Sequence, residues 1–237
     1  MRCRCSCTWK RRNMTKSIGV RLGRVYRLMF SEYGPRGWWP GETPFEVIVG
    51  AILAQSTSWS NVEKAMGNLK GRGLLSPKGL CDVKISSLAS LIKPSLYYNV
   101  KARKLKEFIK FLYERFGGSV ERMRRVELYE LRAMLLDVWG LGPETVDSII
   151  LYALDKPSFV VDAYTKRIFS RLGLLDGGED YDEVKRLFED NLDLDVRLFN
   201  EYHALIVEHG KRICKKNKPL CSECCLRKDC KSAMSAV

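Results

Sequence analysis

The chain has 237 residues, of which 46% are hydrophobic and 29% charged, so it can form one large or two small globular domains with a buried core. No apolar run reaches the length of a membrane-spanning helix, and the N-terminal residues lack the apolar region of a secretory signal. A formal net charge of +13 favours a polyanionic partner, for which nucleic acid is the first expectation.

The first fourteen residues hold five basic side chains and no acidic one, and we predict that residues 1–14 form a disordered basic tail. The rest of the chain keeps a net charge of +8, so its body is basic without this tail. Charge alone leaves a ribosomal or membrane-surface role open. Gln55 is the only glutamine among many lysines, arginines and glutamates, which fits a thermophilic prokaryote. We expect a cytoplasmic, nucleoid-associated protein.

Apolar residues recur at helical spacing through most of the remaining chain. Clusters of glycine, proline and aspartate separate these stretches, and no segment alternates convincingly with a period of two. An all-α fold is therefore predicted. The helical stretches, in chain order, are FEVIVGAILA, KARKLKEFIKFLYERF, ELYELRAMLLDVW, ETVDSIILYAL, AYTKRIFSRLGLL and EVKRLFEDNL.

A short turn separates two of these helices near the middle of the chain. Gly140 and Gly142 flank Leu141, and Pro143 stands at a favourable first position of the helix that follows. Such a helix–hairpin–helix turn directs backbone amides and a helix N-terminus outward, which makes a site for an anion. An ordinary interhelical turn has the same sequence pattern, so the motif by itself is weak.

Asp162 follows the apolar run Phe159–Val161 and precedes an amphipathic helix. An aspartate at this position is typical of a helix N-cap, because its short side chain accepts hydrogen bonds from the amides of the first turn. A half-buried carboxylate can also stabilise positive charge in a reaction, and the two roles are compatible.

Four cysteines near the C-terminus have six, two and five residues between them. In a chain of nine cysteines without a secretory signal, such a pattern indicates metal or cluster ligation rather than disulfides. Structural zinc usually takes two C-x2-C pairs, so the compact run favours an iron–sulfur cluster, with zinc or free thiols as alternatives. The four are Cys214, Cys221, Cys224 and Cys230.

The order of hairpin, Gly/Pro-rich turn, Asp162 and cysteine loop resembles the endonuclease III superfamily of helix–hairpin–helix–GPD DNA glycosylases, over about residues 20–231. The resemblance implies an all-α, two-domain fold with a [4Fe-4S] cluster on the four cysteines. Residues 36–156 would form a six-helix domain that ends in the hairpin, and residues 15–35 with 157–237 the terminal domain. It also implies that Asp162 is the catalytic carboxylate of a monomer that binds damaged double-stranded DNA.

The bifunctional members of this superfamily carry a nucleophilic lysine two residues beyond the second hairpin glycine. In this chain that position is Glu144, which cannot form a Schiff base. We therefore predict a monofunctional glycosylase that uses water. Glu144 would position water or substrate, or be an ordinary surface acid. The alternatives are a bifunctional glycosylase/AP lyase for oxidised pyrimidines and a non-enzymatic DNA-binding iron–sulfur protein.

The segments GWWPGE, AILAQST and KPSLYYNVKARKL, with Glu144, resemble the 3-methyladenine DNA glycosylase branch. This resemblance implies an alkylated purine such as 3-methyladenine as substrate, since a cationic base stacks well on aromatic rings and leaves readily. Leu205 stands where members of that branch have a pocket lysine, which puts the substrate range in doubt. The implied contacts are Trp38, Trp39 and Phe45 with the base, Gln55 and Tyr97 inserted into the duplex, and Gly140, Gly142, Lys215, Lys216 and Lys218 with phosphates.

Overall fold

A computed structural model describes residues 6–37 and 41–234, and every regular element in these two ranges is helical. The all-α prediction is confirmed. The α-helices are α1 Ser6–Tyr33, α2 Pro44–Leu53, α3 Trp59–Lys70, α4 Pro77–Asp82, α5 Ile85–Leu91, α6 Tyr98–Phe116, α7 Val120–Arg124, α8 Leu128–Leu136, α9 Pro143–Ser148, α10 Ala163–Arg171, α11 Tyr181–Glu189, α12 Val196–Arg212 and α13 Lys231–Met234.

The chain divides into two compact units, one formed by Met1–Trp38 with Pro157–Val237 and the other by Trp39–Lys156. The described part of the second unit holds the eight α-helices α2–α9 rather than six, because short helices such as α4 and α7 occupy predicted connections. Helix α1 begins at Ser6, so it includes residues predicted as a disordered tail. That segment has no proline or glycine before Gly19, and nothing in it ends the helix.

Aromatic side chains fill the core of the first unit. The rings of Phe159 and Phe188 stack in parallel with centroids 3.8 Å apart, and Tyr202 packs edge-on against both. Burial of each such ring stabilises the fold by about 2 kcal/mol. The Tyr202 hydroxyl donates a hydrogen bond to the carbonyl of Leu22 at 2.8 Å, which ties helix α12 to α1. This core holds the start of α10 in place.

Helix α2 forms the centre of the second unit, since eight of its ten residues are buried. The Thr43 side chain caps its N-terminus by accepting a hydrogen bond from the amide of Glu46 at 3.2 Å. A helix that is apolar on all sides must be enclosed by other helices, and α3, α6 and α9 pack around it. No helix among the described residues is long and apolar enough to cross a membrane.

Candidate active site

Asp162 is the N-cap residue of helix α10. Its Oδ1 accepts hydrogen bonds from the Thr165 backbone N–H at 2.7 Å and from the Thr165 hydroxyl at 2.9 Å. The Thr165 side chain in turn lies near the amide of Asp162, which completes a capping box. The cap uses only Oδ1 of the carboxylate, so Oδ2 takes no part in it.

The second oxygen faces a histidine that the sequence analysis did not select. Nε2 of His203, on helix α12, lies 3.6 Å from Oδ2 of Asp162. Only 11% of the Asp162 side chain and 7% of the His203 side chain is exposed, so water screens this pair weakly. The sequence of the amphipathic helix α12 gave no signal for His203, because its partner lies at the start of a different helix.

The pKa of Asp162 reflects two opposing effects. Burial raises it, whereas His203 and the hydrogen bonds from Thr165 lower it, and the net pKa is below the usual value for an aspartate. The carboxylate is therefore ionised at neutral pH. A buried anion whose one oxygen is free of the cap is suited to stabilising positive charge on a sugar.

The hairpin lies between α8 and α9 in the second unit. Gly140 has φ +85°, and a Cβ at this residue would lie 2.7 Å from Cγ of Lys104. Gly142 is the N-cap of α9 and brings no side-chain cap to the first-turn amides. Leu141 between them is buried and anchors the turn. Glu144 lies exposed in the first turn of α9, where a negative charge is favourable.

Gln55 lies in the turn after α2 and is fixed by two neighbours that the sequence did not identify. Its Nε2 donates to the Thr145 hydroxyl at 2.6 Å, and the Lys104 ammonium donates to its Oε1. Since an ammonium only donates, the amide has a defined orientation. Burial lowers the pKa of Lys104. The structure thus brings Gln55, Lys104 and the second hairpin helix together.

The other residue assigned to duplex insertion, Tyr97, and those assigned to the base pocket have different environments. Tyr97 stands just before α6 and is 69% exposed. Phe45, in the first turn of α2, is buried. Trp38 and Trp39 lie outside the described residues.

The four cysteines belong to the first unit, and their thiols are free and half-buried. Burial, and then the negative charges of Cys214, Cys230 and Cys221, raise the pKa of the Cys224 thiol to about 11. The other three sulfurs therefore lie within electrostatic range of Cys224. Within the described ranges, no three His, Cys, Asp or Glu side chains converge as a single metal ion requires.

Two nitrogen atoms also approach these sulfurs, and the one from Arg171 is a hydrogen-bond donor. A guanidinium nitrogen of Arg171 lies 3.2 Å from Sγ of Cys214, and Nε2 of His209 lies 3.6 Å from Sγ of Cys224. A cluster binds each thiolate through a separate iron, so its thiolates need not meet at one point, and donors of this kind stabilise them. The residues fit a four-thiolate cluster. Burial, and then Cys224 and Glu32, likewise raise the pKa of the Cys225 thiol, to about 12.

The loop between the first two of these cysteines is shaped by Arg171. Its guanidinium donates to the carbonyls of Lys215 at 2.8 Å and Lys216 at 2.9 Å. The side chains of both lysines and of Lys218 are exposed. This arrangement fixes the loop backbone and leaves three positive charges in solvent.

Residues 49–193 match the family model described as HhH-GPD superfamily base excision DNA repair protein. The chain is 49% identical over 210 residues to "Putative DNA repair glycosylase MJ1434" of Methanocaldococcus jannaschii, covering 88% of this chain and 95% of that protein. It is 32% identical over 190 residues to Endonuclease III of Thermotoga maritima, covering 79% of this chain and 82% of that one.

Two solved structures are also similar. H. pylori 3-methyladenine DNA glycosylase (MagIII) bound to 1,N6-ethenoadenine superposes with a TM-score of 0.68 at 30% identity, over 84% of this chain and 97% of that one. A non-covalent Endonuclease III–DNA complex superposes with a TM-score of 0.79 over 92% of this chain and 97% of that one. At 20% identity, the second likeness concerns the fold alone.

Proposed function

Because the chain belongs to the HhH-GPD superfamily of base excision DNA repair proteins and is a DNA glycosylase, we propose that it is monofunctional and removes alkylated purines such as 3-methyladenine. The observation that carries this proposal is the pair of acids: a buried, ionised Asp162, and Glu144 where a lyase needs a lysine. The first supplies the charge for bond cleavage. The second leaves the hairpin without an amine that can attack the sugar.

The reaction follows from the charge that develops on the sugar. Breaking the N-glycosidic bond leaves electron deficiency on deoxyribose, and the Asp162 carboxylate stabilises it in a weakly screened site. Oδ1 stays in the helix cap, and Oδ2 orients a water molecule or accepts its proton. The water oxygen then bonds to the sugar carbon, and the base departs with the electrons of the broken bond.

Support for an alkylated purine comes from similarity and from leaving-group chemistry. The 30% identity to a 3-methyladenine DNA glycosylase extends over 84% of this chain. N-alkylated purines carry a positive charge and leave without a strong general acid, and the site described offers an anion rather than such an acid. The substrate assignment therefore needs only Asp162 and an aromatic pocket.

A direct test incubates the purified protein with duplexes that each bear one lesion and identifies the released base by mass spectrometry. We expect release of 3-methyladenine, and Asp162→Asn should reduce it by about 10²-fold or more. Asparagine is a good N-cap, so this variant keeps its fold and isolates the charge. Release of uracil, 8-oxoguanine or thymine glycol without any alkylpurine would contradict the substrate assignment.

A second candidate function is that of a bifunctional glycosylase/AP lyase, which the 32% identity to Endonuclease III favours. Borohydride reduction during turnover separates the two, since a lyase passes through a Schiff base that the reagent traps covalently. We expect no trapped adduct. An adduct on any lysine of this chain would favour the second candidate.

We propose a [4Fe-4S] cluster on Cys214, Cys221, Cys224 and Cys230. The four cysteines would hold the loop of Lys215, Lys216 and Lys218 through this cluster. The charges of the loop contact DNA phosphates, and the amides of Gly140 and Gly142 make phosphate contacts of their own. Iron and sulfide analysis should find about four of each per chain. Cys224→Ser should lose both, whereas Cys225→Ser should keep them; zinc in place of iron would refute the assignment.

The partner in this proposal is damaged double-stranded DNA, bound by a monomer in the cytoplasm of a prokaryote, close to the nucleoid. One chain carries both the carboxylate and the hairpin, so no second copy is needed. Light scattering with and without a lesion duplex tests this. A mass of two chains per duplex would contradict it.

A further inference from the structure

His209, in the last turn of helix α12, contacts two of the four cysteines proposed as cluster ligands. Its backbone carbonyl accepts a hydrogen bond from the amide of Cys214 at 2.9 Å. Its ring nitrogen Nε2 lies 3.6 Å from Sγ of Cys224. The residue is only 1% exposed, so water competes little for these contacts. His209 therefore joins the end of the helix to the first and the third of these cysteines.

The other ring nitrogen of His209 faces a tyrosine at the end of helix α1. The Tyr33 hydroxyl lies 2.8 Å from Nδ1, which is a normal hydrogen-bond length. Burial raises the pKa of this hydroxyl above its usual value, so the phenol keeps its proton and can donate it. The Arg212 guanidinium lies 5.7 Å from the centre of the tyrosine ring and helps to hold it in place. Hydroxyl, imidazole and the sulfur of Cys224 thus form a continuous row of polar groups.

The direction of both hydrogen bonds follows from the chemistry of a thiolate ligand. A cysteine loses its proton when it binds iron, so Sγ of Cys224 would then only accept. Nε2 of His209 must therefore carry the hydrogen of this contact, whether the imidazole is neutral or charged. In the neutral ring, Nδ1 is then an acceptor, and the Tyr33 hydroxyl is the donor that fits it. The tyrosine selects the tautomer that the thiolate needs.

We propose that His209 donates an N–H···S hydrogen bond to the Cys224 thiolate, and that Tyr33 is the positioning residue that fixes the required tautomer. The proposal rests on the [4Fe-4S] cluster proposed above. A hydrogen bond to sulfur stabilises negative charge, and an added electron makes a cluster more negative. The Tyr33–His209 pair therefore favours the reduced form and raises the reduction potential of the site.

Labelling histidine with ¹⁵N tests the contact in the unaltered protein, because the chain contains only two histidines. Iron analysis of the same sample comes first, since a protein without iron would refute the cluster itself and this proposal with it. With iron present, pulsed EPR of the paramagnetic state should detect weak coupling to one histidine nitrogen. The ¹⁵N NMR spectrum should show that Nε2 of this residue is protonated and Nδ1 is not. An iron-loaded protein without such coupling would overturn the hydrogen bond while leaving the cluster in place.

The reduction potential tests the consequence of the contact. His209→Phe keeps a flat ring and removes the donor, so the equilibrium constant for reduction should fall about tenfold, a drop of about 59 mV for one electron. Tyr33→Phe should lower the potential less, because the thiolate still favours a protonated Nε2. Added to His209→Phe, it should change the potential little further, since the tyrosine acts through the histidine.

Tyr26→Phe is the matched control, because Tyr26 lies on the same helix as Tyr33 and its ring packs against Phe30 and Tyr202 instead. Its potential should match that of the wild type. An unchanged potential in iron-loaded His209→Phe would overturn the proposal, and fully additive shifts would overturn the role of Tyr33. If His209→Phe holds no iron, the measurement on labelled wild-type protein decides.

Discussion

The two oxygens of Asp162 have separate tasks. Oδ1 is bound by Thr165 as a helix cap, and Oδ2 faces His203. The cap fixes the orientation of the carboxylate, so no binding energy is needed to order it when a substrate arrives. The histidine keeps it ionised despite burial. In the proposed mechanism, the helix cap therefore also orients the catalytic carboxylate.

His203→Gln should shift the pH dependence of base release. With His203 in place, the pKa of Asp162 lies below its usual value, so kcat/KM should fall only at a pH below the usual titration range of an aspartate. Without His203, less opposes the effect of burial, so the pKa of Asp162 should rise and the acid limb should move to higher pH. Steady-state rates across the acidic range measure this.

Glu208→Gln is the control for that experiment, because Glu208 lies on the same helix and pairs with Arg36 and Arg212 instead. Its acid limb should match that of the wild type. If His203→Gln also leaves the limb in place, His203 does not set the charge of Asp162.

Sequence alone predicts Asp162 but not its partner. An acid between an apolar run and an amphipathic helix is a local pattern, and a capping position follows from it. His203 and Lys104 act on residues far away in the chain, and only the packing of helices brings each pair together. His209 is missed for the same reason, since the hydroxyl and the sulfur at its ring lie elsewhere in the chain.

Among the secondary-structure elements, helices α8 and α9 hold the hairpin turn between them. Arg132 forms a two-pronged ion pair with Asp147, with nitrogen–oxygen distances of 2.9 and 3.1 Å. Asp147 is fully buried, so the pair joins the two helices inside the unit. On the other side, Gly140 allows the turn to approach the methylene groups of Lys104. The ion pair and the Gly140–Lys104 contact are both present in the protein without DNA, so the shape of the hairpin does not depend on DNA binding.

Gly140→Ala should destabilise the second unit by about 2–4 kcal/mol. The substitution puts a methyl group 2.7 Å from Cγ of Lys104 and imposes φ +85° on an L-residue. Gly142→Ala is the control, because nothing lies within 4 Å of its Cβ and its φ is −89°. Urea unfolding should show a lower free energy of unfolding for Gly140→Ala only. An equal decrease in Gly142→Ala would mean that the contact with Lys104 is unimportant.

Arg132→Met should lower the free energy of unfolding by about 3–5 kcal/mol, because it leaves the Asp147 carboxylate buried without its arginine. Glu114→Gln removes one partner of an exposed pair with Lys110 and should cost less than about 1 kcal/mol. Thermal melts of both variants measure the difference. Similar small losses in the two would show that water reaches Asp147.

Regular helices were predictable, and departures from them were not. Hydrophobic periodicity marks α6 and α10 because it reports which face is buried. The π-helical segment Ile149–Ala153 after α9 leaves no such trace, since all five of its residues are apolar and buried. Helix α7, with five residues, is too short for a period to be recognised.

At the scale of the whole molecule, charge and chemistry are distributed over both units. The first unit carries Asp162 and the cysteine loop, and the second carries the hairpin and the turns that hold Gln55 and Tyr97. The net charge of +13 attracts any duplex, which is a long-range effect without sequence information. Specific phosphate contacts should nevertheless be separable from this general attraction, because each one releases counterions where it forms.

Replacing Lys215, Lys216 and Lys218 together by glutamine should lower the steepness of the salt dependence of DNA binding. Each phosphate contact contributes about 0.9 to the slope of log K against the logarithm of the salt concentration, so the magnitude of this slope should decrease by about 3. The variant with Lys64, Lys70 and Lys110 replaced has the same net charge and should keep the wild-type slope within about 1. Since Arg171 binds the loop through backbone carbonyls, the loop itself should persist. Equal slopes for the two triple variants would mean that overall charge, rather than this loop, holds the phosphates.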